Sequence, residues 1–421
     1  MSSVDGGAKL FEDFMPGKGD RDILRKVKGL ERYMRERSPA YLAGLGLQML
    51  GPAEHNTSIR ERDGRTHDVI MLGSNSYFSL TTHPDVVRAS KESVDKYGYG
   101  MGAVSLYAGT TDLHRELEAK IAEFYGAEDA ILFPSGYSAN VGTISALCGP
   151  GDTVVNDLYN HASIFDGCRL SGARIEAYKH CSVSHLRRTL SRLSPREGGV
   201  LVITDGVFSM DGDIAPLDGI LEAAEEYDAR VMIDEAHALG VVGPTGRGSA
   251  EAKGCLGRVD VTVGTLSKAP GGMGGYCVGS RALISYLRYY ARAYFFSTSI
   301  PAPVVAGLIE VFKLLAKDNA GRERLWENVV YLRDALRSLG FNLGNTASAI
   351  IPVIIGDERK LAEFQTRLRD GGVFTNLVTF PAVKRKACRL RLSVMSALTR
   401  EELDTVIGAM TDIGRDLGVI G

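Results

Sequence analysis

The sequence predicts an α/β protein, with a large domain on a mainly parallel seven-stranded sheet and a smaller C-terminal α+β domain. Two observations carry this expectation. Between about residues 68 and 300, short β-branched runs alternate with helical stretches, and several runs are apolar throughout, as strands covered on both faces by helices must be. From about 301 the chain turns helical and then βαβ-like to its end, and 421 residues exceed what one small core serves. The expected division is an N-terminal arm over 1–60, a large domain over 61–300 and a small domain over 301–421.

In the arm, Ile23, Leu24, Val27, Leu30 and Met34 recur at helical spacing, with Pro39 beyond the end. The seven strand-like runs are 130–133, 153–156, 174–178, 200–204, 230–233, 259–264 and 275–278. A helix reads from Thr111 to Tyr125, with Leu113, Leu117, Ile121 and Phe124 on one face and Gly126 as its stop. The last helix opens on a Thr399-x-x-Glu402 capping box, and its buried stripe is Leu403, Val406, Ile407, Met410 and Ile413.

Composition narrows the function classes. A net charge of −2 gives no reason to expect nucleic acid or an anionic membrane as partner. The cluster Lys384-Arg385-Lys386 reads by default as solvated surface. Six cysteines, none in CxxC spacing, suggest no metal knuckle and fit a reducing cytoplasm. No signal peptide is recognised, and no apolar run approaches the ~20 residues of a membrane helix. A cytoplasmic protein without a metal is expected.

Polar residues cluster where runs end, the place at which open α/β sheets hold ligands. Lys268 follows an apolar run and precedes Gly271, Gly272, Gly274 and Gly275, Asp234 ends another run, and His161 follows a third. Ser135-Gly136-Tyr137 lies between a strand and a helix. Singly, each has a blander reading: surface lysine, helix cap, surface histidine, turn. Together they are the parts a pyridoxal 5′-phosphate (PLP) enzyme needs. These are an amine for the aldehyde, a carboxylate for the pyridine nitrogen, an imidazole for the ring and a helix N-terminus for the phosphate.

The stretches Asp234-Glu235-Ala236-His237-Ala238-Leu239-Gly240, Gly206-Val207-Phe208-Ser209-Met210-Asp211-Gly212 and Thr265-Leu266-Ser267-Lys268 together resemble the α-oxoamine synthases, a family of fold-type I PLP enzymes. The resemblance spans about residues 55–415. It implies that Lys268 is the Schiff-base lysine and acid/base, that Asp234 partners the pyridinium, and that His161 stacks on the ring. It further implies that His237 and Ser209 lie near the ring hydroxyl, while Ser135, Gly136, Tyr137 and Thr265 form the phosphate site. Thr298, in Phe296-Ser297-Thr298-Ser299, would reach that phosphate from the neighbouring subunit of a homodimer with shared sites. Arg391 would grip the substrate carboxylate, with Asn75 beside it. The implied reaction is decarboxylative condensation of glycine, alanine or serine with an acyl thioester, carried by CoA or an acyl carrier protein.

Three departures leave the acyl donor open. Ser396-Ala397-Leu398 replaces a usual Ala-Ala-His, Tyr77-Phe78-Ser79-Leu80 replaces Tyr-Leu-Gly-Leu, and Ser105 stands where several relatives carry arginine. The competing readings are an aldolase or aminotransferase of the same fold, or a non-catalytic partner subunit. Lys268, Asp234 and His161 speak against the last.

Overall fold

The computed structural model describes residues 22, 24–36, 46–193, 198–317 and 319–421. Each of the seven runs is a strand of one sheet: β1 Asp129–Phe133, β2 Thr153–Asp157, β3 Arg174–Tyr178, β4 Val200–Asp205, β5 Arg230–Asp234, β6 Val261–Thr265 and β7 Gly275–Gly279. Their order across the sheet is β1-β7-β6-β5-β4-β2-β3. All neighbours run parallel except β7, which is antiparallel to both β6 and β1.

Alternation of side chains explains why these strands read as continuous apolar runs. Val154, Ile203 and Met232 pack with Ile144, Ile164 and Leu287 of the helices on one face. Their neighbours Val155, Val202 and Ile233 pack with Leu186, Leu190, Ile220 and Leu221 of helices on the other. A residue facing either way meets a helix, so apolar side chains fill most positions until the strand ends. There the character switches. Asp157, Asp205, Asp234 and Thr265 close four parallel strands at the same edge, and register pairs Asp205 with Asp234.

The helix Asp112–Tyr125 starts at a Thr111 capping box and stops at Gly126, whose φ of 68° favours glycine. The terminal helix Arg400–Asp416 starts at Thr399 with Glu402 closing the box. In the N-terminal helix Arg25–Glu36, Leu24 and Val27 are exposed, while Ile23, Pro39 and the Met34 side chain lie outside the described residues.

The C-terminal part corrects one expectation. Its three-stranded sheet, ordered Ile350–Ile354, Arg389–Ser393, Asn376–Val378, is antiparallel rather than βαβ. The chain leaving the helix Glu358–Asp370 spends Val373–Phe374 on a different sheet, where it pairs parallel with Thr66–Met71. Arg389–Ser393 then enters between two strands that both oppose it. The hairpin Asn56–Arg60/Thr66–Met71 straddles the division expected at residue 60, and Ile59, Val69 and Met71 share a core with Leu361, Phe364, Leu390 and Leu403. Arg369, fully buried on the helix Glu358–Asp370, donates to Glu61 and to Gln365. Among the described residues, no helix is long and apolar enough to cross a membrane.

Removing a buried cation leaves its carboxylate buried and poorly paired. Arg369→Ala is expected to cost about 3 kcal/mol. Arg65→Ala, which removes a half-exposed partner of the same Glu61, is expected to cost far less. Midpoints of chemical denaturation for the two variants check the contrast.

Candidate active site

A cavity of about 280 Å³ opens at the carboxyl ends of β4, β5 and β6. Ser135, Gly136, Tyr137, Asn140, His161, Asp205, Ser209, Asp234, His237, Thr265 and Lys268 all line it. Five segments distant in sequence thus meet at one sheet edge.

The amine of Lys268 is buried at the centre of the charge network. Burial pushes it down to about 8, with Asp234 resisting and Arg391 adding to the effect. The backbone makes this placement possible. Gly271, at φ 71°, donates its N–H to the Lys268 carbonyl at 2.8 Å and turns the chain back along β6.

Asp234 is fixed by two donors, Asn140 Nδ2 at 2.7 Å and the Ala236 N–H at 2.9 Å. Asn140 also donates to Ser163 Oγ at 2.9 Å, and Ser163 Oγ lies 2.7 Å from His161 Nδ1. The His161 ring is therefore oriented through one nitrogen. Burial holds its affinity for a proton below the usual histidine range, with Asp234 opposing. Asp205 has a single long contact, the His161 N–H at 3.4 Å, and burial next to Asp234 raises it well above the usual carboxylate range. Asp205 therefore holds a proton more readily than an ordinary carboxyl does.

On the other side, His237 accepts from or donates to Tyr77 Oη at 2.8 Å. Burial, and then the charges of Lys268 and Arg391, push His237 well below its usual range, so it is neutral. Arg391 is buried, with Nε donating to the Ser209 carbonyl at 2.5 Å and Nη1 to Ser393 Oγ at 3.1 Å. Both Nη atoms reach Asn75 Oδ1, at 3.2 and 3.1 Å. Burial lowers its pKa from the usual guanidinium value.

At the opposite rim, Ser135 caps the helix Gly136–Leu147 by accepting from the Ser138 N–H at 3.0 Å. A Cβ at Gly136 would sit 2.7 Å from Thr265 Cβ, so only glycine lets this helix start approach β6. Thr265 Oγ1 pairs with Ser267 Oγ at 2.8 Å, and the Tyr137 hydroxyl donates to Asp166. Thr298 is not brought to this cavity. It bridges to Val104, away from the Lys268 pocket of its own chain. Asn75 and Arg391 meet each other and Ser209 rather than lining the cavity directly.

Sequence reasoning did not find Asn140, Ser163, Asp205 or the role of Tyr77. Asn140 sits mid-helix with no motif to mark it, and Ser163 looks like an ordinary first-turn serine. Asp205 offered a signal, because it closes a strand in register with Asp234. A second cavity of about 530 Å³ shares His161 and Ser209 and is walled by Tyr159, Phe165, Phe208, Phe380 and Val383, with Lys384 beside them.

Residues 67–410 match the model of the aminotransferase class I and II family. Over 358 residues the chain is 44% identical to 8-amino-7-oxononanoate synthase of Thermoanaerobacter pseudethanolicus, covering 85% of this chain and 90% of that one. It is 39% identical to 4-hydroxy-2,2'-bipyrrole-5-methanol synthase PigH of Serratia sp. over 98% of its own length, and spans 63% of that relative. A structure of serine palmitoyltransferase from S. paucimobilis, with a bound PLP–myriocin aldimine, superposes with a TM-score of 0.89 at 37% identity, covering 95% of this chain and all of that one. The chain belongs to the class I and II aminotransferase family, with its fold-type I architecture. Within that family it is an α-oxoamine synthase, a PLP-dependent acyltransferase.

The residues present fit that cofactor. Lys268 offers a buried amine of lowered basicity, Ser135 and Gly136 open a helix N-terminus at the rim, and Asn140 Oδ1 is buried with no hydrogen-bond partner among the described residues. A free amine attacks an aldehyde and an ammonium does not. Incorporation of added PLP into cofactor-free protein, trapped with borohydride and mapped by peptide mass, is expected at Lys268. Its rate should rise with pH and level off above about 8, and Lys268→Ala should trap none.

Proposed function

We propose that this chain condenses a small amino acid (glycine, alanine or serine) with an acyl thioester, releasing carbon dioxide and free thiol and leaving an α-amino ketone. The carrying observation is the buried Arg391 guanidinium, held by Ser209, Asn75 and Ser393 close enough to depress the basicity of both Lys268 and His237. A planar cation with fixed orientation suits a carboxylate, and its fork would hold the amino acid with Cα toward the lysine.

PLP, when bound, supplies the aldehyde that takes the amine and a ring that accepts electrons from Cα. Asp234, fixed by its two donors, would pair with the ring nitrogen. Lys268, with basicity lowered to about 8, would take the Cα proton and return it near neutral pH. His161 would cover the ring, and neutral His237 with Ser209 would meet its hydroxyl. Ser135, Gly136, Tyr137 and Thr265 would receive the phosphate. The aromatic-walled second cavity, which opens onto His161 and Ser209, suits the acyl chain, and the cations at Lys384–Lys386 suit a phosphate-bearing carrier, CoA or an acyl carrier protein.

Thr298 serves the neighbouring subunit of a homodimer in this reading. Its separation from the Lys268 pocket of its own chain supports that, as do the exposed Tyr99, Tyr107 and Phe296. Cytoplasmic residence is supported by six unpaired cysteines, five of them buried.

A panel of amino acids and acyl thioesters, followed by carbon dioxide and thiol release, tests the reaction. Amino transfer to a keto acid with neither product would replace it by the aminotransferase reading. Arg391→Ala is expected to raise the amino-acid KM roughly ten- to hundredfold, the worth of a charge-assisted bond, while cofactor content stays unchanged. Reversing charge at Lys384, Arg385 and Lys386 together should raise the thioester KM and leave the amino-acid KM alone. An unchanged thioester KM removes these cations from the carrier site.

A further inference from the structure

Beside the pocket, but outside it, lies a charged cluster that the proposed reaction does not use. His180 follows β3, and its ring is bonded at both nitrogens: Nδ1 lies 3.0 Å from Asp157 Oδ1 and Nε2 lies 2.7 Å from Asp213 Oδ2. One face stacks on Tyr159, centroids 4.4 Å apart at 21°, and an edge contact with Phe208 is also at 4.4 Å. Tyr159 stands two residues before His161, and Phe208 immediately precedes Ser209. Asp157 accepts, in addition, the Tyr159 and Cys181 N–H groups, each at 2.8 Å. The Phe208 N–H donates to the Asp213 carbonyl at 3.1 Å, closing the turn that carries Ser209.

We propose that Asp157, His180 and Asp213 form a charged clamp that positions His161 and Ser209 by locking the two loops that carry them. The clamp also fixes Tyr159 as a wall of the second cavity, where the Lys384 amine lies 5.8 Å from the outer ring centroid. Burial works against charge on His180, but hydrogen bonds from its two nitrogens to Asp157 and Asp213 outweigh it and raise its pKa to about 12. The groups facing the ring are Asp157, Asp213, the Cys181 thiol and Tyr159, with Lys384 beyond Tyr159. An imidazolium bridging two carboxylates resists sliding in both directions, which an apolar contact would not.

The same atoms admit a rival reading. Asp157, His180 and Cys181 each bring a ligand atom within 4.8 Å of the others, as a metal site would. A metal needs a free imidazole lone pair, however, and both nitrogens here are spent on carboxylates.

The clamp predicts a spectroscopic signature. In nitrogen-15 spectra of the histidine-labelled holoenzyme, both His180 ring nitrogens should stay protonated from about pH 6 to about pH 9, where an ordinary histidine titrates. Titration in that window, or stoichiometric zinc uptake lost in His180→Asn, would overturn the proposal. The functional readout is exchange of the amino-acid Cα proton with deuterated water, which needs no acyl donor. His180→Phe should slow it roughly ten- to hundredfold through misplacement, with cofactor still bound. His180→Arg, which keeps the charge but not the aromatic ring, should recover more of the rate. If Phe matches wild type or outperforms Arg, the clamp is packing and the proposal fails. Asp213→Asn gives the same test should either variant not fold. The inference rests on the PLP-site reading. Exchange absent from the wild type would sink that reading, whereas the nitrogen-15 signature tests the clamp alone.

Stability carries the same sign. Because His180 has a raised folded-state pKa, its contribution is fully present below the unfolded value of about 6.5. It fades as pH rises toward about 12. The stability gap between wild type and His180→Phe should therefore shrink with rising pH above about 6.5.

Discussion

Asp205 and Asp234 stand side by side at the ends of neighbouring parallel strands, out of reach of bulk water, and the rest of the pocket answers that buried charge. Burial beside Asp234 raises Asp205 well above the usual carboxylate range. Asp234 receives an amide side chain and a backbone N–H, while Asp205 receives one long contact. Near Asp234 stand an amine whose proton is loosely held, a neutral His237 and a guanidinium locked in a different network. Among the described residues none of these is hydrogen-bonded to Asp234, whose two carboxylate oxygens are held by Asn140 and the Ala236 N–H.

That arrangement depends on the sheet. Parallel strands in register bring their final residues to one edge, and two layers of helices exclude water from everything before those residues. A one-residue slip of β5 against β4 would move Asp234 to the other face and put an apolar side chain in its place. The alternation of Val202, Ile203, Met232 and Ile233 between two separate helix layers opposes such a slip, because each would then meet the wrong partners.

The same physics explains what could be read without a structure. Strands buried on both faces leave continuous apolar runs that stop abruptly at polar residues, so all seven strands of the sheet, and Lys268 and Asp234 beyond or at their ends, were legible. The helix caps at Thr111 and Thr399 were legible because capping is local. Asn140 and Tyr77 were not, since each acts across a distance no spacing rule encodes: Asn140 lies 94 residues from Asp234, and Tyr77 lies 160 from His237. His180 with its two aspartates was hidden for the same reason. Strand direction in the C-terminal sheet was misread because a two-residue strand, Val373–Phe374, diverts the chain to another sheet, and nothing in so short a segment announces its partner. The exposure of Leu24 and Val27 shows that periodicity gives a helix a face without saying what covers it.

Arg391 carries the argument across the molecule. It belongs to the central strand of the C-terminal sheet, yet its partners are Asn75, which follows the N-terminal hairpin, and Ser209, which follows β4. Three parts of the chain therefore meet on one guanidinium. The hairpin is tied to the C-terminal helix Glu358–Asp370 through Glu61 and Arg369, and by the parallel pairing of Thr66–Met71 with Val373–Phe374. Asn75 is thus positioned by the same unit that positions Arg391. Arg391 lies on a strand of the C-terminal sheet, while Asp234 ends β5 and Lys268 follows β6 of the large sheet. The Arg391 Nε bond to the Ser209 carbonyl is a direct link between them at the site. The Tyr77–His237 and Arg389–Asp211 bonds join the same two regions, so the geometry around Arg391 is coupled to the pocket through several contacts.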